Sequence, residues 1–103
     1  MNDTTNKLCL VGKIMNEPQA RYSPAGLGHL EFLLEHQSAQ YMEGQSRQIY
    51  CKLPVVVGPE LFQRWFPVLK MENEVSILGI LNLRKMRSGA TEYVLYAQHI
   101  ETI

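Results

Sequence analysis

Arg84, Lys85 and Arg87 place three of the chain's ten basic residues within four positions, just before Ser88-Gly89 and between two strand-like runs. Burying unpaired charge is costly, so such a segment belongs on the surface. A basic loop can follow the successive phosphates of an extended polyanion, which it suits better than a compact ligand. A plain solvated turn is the competing description. Tyr50 adds a second chemistry, because its ring alternates with Ile49 and Cys51 and sits between Gln48 and Lys52. An outward ring can stack on a base, although exposed tyrosines also occur on ordinary sheets. Catalytic or metal chemistry has no comparable footing. His29, His36 and His99 lack metal-ligand spacing, Cys9 and Cys51 form no CxxC, and neither a phosphate-cradling glycine loop nor a nucleophile elbow is present. No enzyme activity, metal or cofactor is expected.

Five runs must position these groups. In the first, Leu8, Leu10 and Ile14 share a face at period two, and Gly12 marks a bulge or bend. Pro18, Pro24, Gly26 and Gly28 then mark a loop. His29 to His36 alternates, with Leu30, Phe32 and Leu34 inward. Ser38 to Ser46 is polar, contains Gly44, and reads as an exposed hairpin loop. The third run, Arg47 to Val57, aligns Ile49, Cys51, Leu53 and Val55, while Pro54 suggests an edge or a bend. A proline at position 59 suits the start of a helix, and Leu61, Phe62, Trp65 and Phe66 then form one apolar stripe ending at Pro67. The fourth run, Val75 to Leu83, repeats the interior glycine at Gly79, and the fifth spans Tyr93 to Ile100. Cys9 and Cys51 lie in apolar runs and are expected to be buried free thiols. Trp65 and Tyr93 are expected to pack rather than bind.

Five strands with one short helix between the third and fourth is the order of an OB-fold, a five-stranded Greek-key barrel. The expected class is therefore all-β, with residues 1–103 as a single OB-fold domain. An SH3-like barrel or an open α+β sheet explains the helix position less well. OB-folds bind oligonucleotides across strands 2 and 3 and the loops joining strands 1–2 and 4–5. The basic cluster falls on the 4–5 loop, and Arg21 on the 1–2 loop.

Composition sets outer bounds. At 103 residues and 46% hydrophobic, the chain can build one modest core. The longest apolar run, Val55-Val56-Val57, is far too short to cross a membrane. The N-terminal residues Met1 to Asn6 are polar and lack a signal-peptide segment, so a cytoplasmic location is expected. Ten basic residues balance ten acidic ones. That balance counts against a strongly basic nucleic-acid binder, but the local field decides what a surface attracts.

Ser23-Pro24-Ala25-Gly26 and Phe32-Leu33-Leu34-Glu35-His36-Gln37-Ser38 resemble the SPxG and FxLEHxS stretches of the primosomal replication protein N (PriB) family. Arg47-Gln48-Ile49-Tyr50-Cys51, Leu53-Pro54-Val55-Val56-Val57, Lys85-Met86-Arg87-Ser88-Gly89 and Leu95 to Glu101 resemble its RQxWC, MPVxV, KxKxG and LHAEQIE segments in the same order. The resemblance runs from Asn6 to Glu101. It implies an OB-fold homodimer that binds single-stranded DNA, stabilises the PriA helicase and helps recruit DnaT during replication restart. Tyr50 would replace the family's stacking tryptophan, and Lys85 and Arg87 its loop lysines. Arg21 matches a further basic contact, and Arg47, Lys52 and Arg84 complete the candidate DNA-binding set. Gln45, Gln37 and Glu92 depart from an aromatic, an arginine and a lysine respectively, which implies weaker binding. A protein-interaction adaptor with weak or vestigial DNA binding is therefore the alternative.

Overall fold

The computed structural model describes residues 5–103; residues 1–4, part of the polar N-terminal stretch, lie outside the described residues. Chain order is β1 (Leu8–Ile14), β2 (Gln19–Tyr22), β3 (Gly28–Met42), β4 (Gln45–Val57), α1 (Pro59–Trp65), β5 (Glu74–Lys85) and β6 (Thr91–Thr102). Antiparallel ladders join β1 to β5, β5 to β6 and β3 to β4. A short parallel pairing joins β4 to β6, and β1 closes the ring on β3 through Lys13–Glu35 and Ile14–Leu34. The expected five-stranded closed sheet is present, with α1 between its third and fourth members. The strand expected third is β4, because β2 forms where the sequence indicates only a loop, and it pairs along β3 outside the ring.

Inward alternation builds the core from Ile14, Leu30, Phe32, Leu34, Val55, Val57, Val75, Ile77, Leu95, Ala97 and Ile100. Helix α1 follows extended Gly58, starts at Pro59, and buries Phe62 and Trp65 against that core. Phe66 leaves the expected apolar stripe: it is exposed, and its ring stacks on Phe62 at 5.0 Å between centroids. The two interior glycines serve close approach. A Cβ on Gly12 would lie 2.3 Å from the Glu35 carbonyl oxygen, where β1 meets β3. One on Gly79 would lie 2.3 Å from the Tyr96 carbonyl, beside the register shift between Leu78 and Gly79.

Three expectations are corrected. Ser38 to Ser46 is no loop, because β3 and β4 continue to a two-residue turn at Glu43 and Gly44, with φ of 53° and 78°. Positive φ at both positions is the geometry of tight hairpins. The arm extends past the core and is polar on both faces, so hydrophobic alternation carries no signal there. Cys9 is exposed on the outward phase of β1, and Cys51 is only half-buried. Tyr93 is 59% exposed opposite Leu83, because the β5–β6 hairpin also projects beyond the core.

Candidate nucleic-acid interface

The outward residues of β3 and β4 pair as Glu31–Val56, Leu33–Pro54, Glu35–Lys52 and Gln37–Tyr50. Tyr96 of β6 continues this surface beside Val56. Arg21 on β2 flanks one side, and Arg84 and Met86 of the β5–β6 hairpin reach it from the other. These residues, with Leu33 and Pro54, line an open groove of about 510 Å3.

Tyr50 stands on this face as the alternation required, with its ring 53% exposed. Its hydroxyl donates to Glu35 Oε2 at 2.7 Å, and Lys52 Nζ lies 5.8 Å from the ring centroid. The hydroxyl bond and the neighbouring cation hold the ring with a free surface. Arg47 is farther along the arm, 3.6 Å from Glu43 across the hairpin turn.

The basic cluster is divided by the fold. Arg84 and Lys85 end β5, and only Met86 to Ala90 form the turn, closed by Met86 N–H donating to the Ala90 carbonyl at 2.7 Å. Lys85 and Arg87 are exposed, line an adjoining open pocket that shares Arg21, Glu31, Arg84 and Met86 with the groove, and make no ion pair among the described residues. Arg84 is different. Its Nη1 and Nη2 donate to the two oxygens of Glu31 at 2.9 Å each, and Nη2 also donates to Glu92 Oε2 at 2.5 Å. Its Nε is enclosed with no hydrogen-bond partner among the described residues. Arg21 Nη2 donates to Glu31 Oε1 from the opposite side. Of the three clustered cations, Lys85 and Arg87 thus carry free charge, whereas Glu31 and Glu92 neutralise Arg84, and Glu31 also engages Arg21 outside the cluster.

The hydrogen bond from Arg84 is the largest influence on Glu31, outweighing burial, and holds its carboxyl below the usual range near 4.5. The same bond, followed by that to Glu92, raises the Arg84 guanidinium further above its ordinary value. Glu31 is the site residue that the sequence reading passed over. Its alternation with Leu30 and Phe32 already put it on the outward face, but no local pattern links positions 31, 84 and 92. Tyr22 ends β2 and Tyr41 lies near the end of β3. Tyr22 packs edge-on against Phe62 at 5.7 Å, whereas Tyr41 is 79% exposed on the arm.

A closed sheet with an aromatic and a lysine on the outward β3–β4 face and free cations on the β5–β6 hairpin has the layout by which OB-folds take oligonucleotides. A family model described as another single-strand binding protein family matches residues 6–99. The chain is 36% identical over 100 residues to the replication restart protein PriB of Photorhabdus laumondii subsp. laumondii, covering 97% of this chain and 95% of the relative. It is 39% identical over 98 residues to the protein of that name from Shewanella halifaxensis, covering 95% and 96%. The chain belongs to the PriB family of single-strand binding proteins. In fold it matches a Plasmodium falciparum SSB solved in complex with ssDNA, with a TM-score of 0.81 at 17% identity, covering 100% of this chain and 99% of that one. Among the described residues no helix is long and apolar enough to cross a membrane.

Proposed function

We propose that this chain binds single-stranded DNA across the outward face of β3 and β4 as an accessory protein of replication restart, residues 1–103 acting as one OB-fold domain. Tyr50 carries the proposal: a half-exposed ring, held by Glu35 and Lys52 on the outward β3–β4 face, supports a stacking role for it. Lys85 and Arg87 supply unpaired cations for the phosphates, with Lys52 beside the ring on β4; Arg47 has the phase of Ile49 and Cys51, on the opposite face from Tyr50, and joins only where a strand wraps the arm. Family membership supports the finer reading that the protein stabilises PriA on DNA, helps recruit DnaT and works in the cytoplasm. A homodimer fits the same reading. Strand β1 pairs with β3 only at Lys13 and Ile14, leaving one edge of Leu8 to Gly12 without a strand partner among the described residues; Val11, whose carbonyl lies 2.6 Å from His36 Nδ1, keeps an exposed side chain there.

A protein adaptor with weak DNA binding is the second reading, favoured by Glu31, Glu35 and Glu92 on or beside the same face. Fluorescence titration with oligo-dT at two salt concentrations separates the two. Salt-sensitive binding that weakens on Tyr50→Ala supports the DNA reading. No binding at low salt would leave the adaptor.

A further inference from the structure

We propose that Glu31 sets the affinity of this face by occupying, in place of a nucleic-acid phosphate, the guanidinium groups of Arg84 and Arg21. The inference rests on the single-strand reading above and concerns what limits it. Carboxylates and phosphates present the same paired oxygens to an arginine fork, so either satisfies its N–H donors. Here Glu31 takes both Nη donors of Arg84 at 2.9 Å and a donor of Arg21 as well. Its side chain is only 23% exposed and lies across the groove between β2 and the β5–β6 hairpin.

An arriving strand has two courses. It can pass over the cluster, gaining nothing from Arg21 or Arg84. Alternatively, a phosphate can displace the carboxylate from Arg84, leaving Glu31 half-enclosed beside like charge. Either course removes phosphate contacts that cations at positions 21 and 84 could make. The depressed titration of Glu31 agrees, since the carboxyl stays ionised well below neutrality. Glu92 holds the remaining side of Arg84 but does not reach Arg21.

Glu31→Gln tests this directly. The amide oxygen can still accept from a guanidinium, so the loops remain tied while the charge is gone. Oligo-dT should bind more tightly, with a log–log salt slope steeper by about 0.7 to 1.4 as one or two phosphate contacts appear. The gain over wild type should then shrink roughly three- to sevenfold between about 50 and 200 mM salt. Glu101→Gln changes net charge equally but lies roughly 30 Å along β6 from Glu92, and should bind as wild type. Glu31→Thr removes the same charge with a strand-compatible side chain and serves if the glutamine variant does not fold. Unchanged or weaker binding by a folded Glu31 variant, while wild type binds and Tyr50→Ala weakens it, overturns the role of Glu31 and leaves the single-strand reading standing. An equal gain from Glu101→Gln also overturns it. Absence of binding by wild type and both Glu31 variants overturns both.

Discussion

Replacing Tyr50 with alanine isolates the stacking contribution. The ring is 53% exposed and absent from the core, so its removal opens no cavity. What is lost locally is the 2.7 Å bond to Glu35 and packing beneath Lys52. An exposed bond of this kind contributes at most about 1 kcal/mol, a Tm decrease of roughly 4–8 °C at the upper limit. Stacking of a base on an aromatic is worth about 1–3 kcal/mol, and tyrosine belongs toward the lower end because its ring is smaller than indole. Oligo-dT affinity should therefore fall on the order of 5- to 20-fold. Tyr50→Phe keeps the ring without the hydroxyl and should retain most of the affinity. Tyr50→Trp should strengthen it, and the salt slope should barely change in any variant because no cation is altered. Melting each protein and titrating it with oligo-dT provides both readouts. A large Tm loss with unchanged affinity would show that Tyr50 supports the fold and binds nothing.

Alanine at both Lys85 and Arg87 should flatten the log–log salt slope by about 1.4, one phosphate contact each; an unchanged slope would reduce the hairpin tip to a solvated turn. Arg84→Ala should lower Tm by about 5–10 °C at neutral pH, because it leaves Glu31 partly enclosed without its main partner. Since folding depresses the Glu31 titration, that stability is complete above pH about 4.5 and lost as pH falls through the folded value. The Tm gap between wild type and Arg84→Ala should therefore narrow below pH about 4.5, and a constant gap would refute the coupling. Light scattering at micromolar concentration should show a dimer, and Val11→Glu should shift it toward monomer; a wild-type monomer would exclude pairing through β1. Gly12→Ala forces a Cβ against the Glu35 carbonyl and should cost on the order of 1–3 kcal/mol in chemical denaturation, with wild-type stability contradicting the close approach.

Much of the barrel was legible from residue order. Period-two alternation in residues 8–14, 29–36 and 47–57 set the inward face, and Pro59 with the following apolar stripe located α1. Gly12 and Gly79 were read as a bulge or bend, and in the fold they stand at backbone approaches that a side chain would block. Alternation failed where a strand leaves the core. The arm beyond Gln37 is solvated on both faces, so its polar sequence looks the same as a loop. Tyr93 keeps an inward phase but has no core beneath it.

For the candidate site, sequence alone determined that Tyr50 faces outward and that basic residues collect near positions 84–87, because strand phase and local composition are short-range properties. Which of those cations remain available was decided only by the tertiary structure. Glu31 and Arg84 are separated by 53 positions, yet chain closure brings them to 2.9 Å, and Glu92 joins them through the β5–β6 register. Charge neutralisation acts over a few ångströms of space regardless of distance along the chain. A run of cations in sequence can therefore be two free charges and one paired charge in the folded protein.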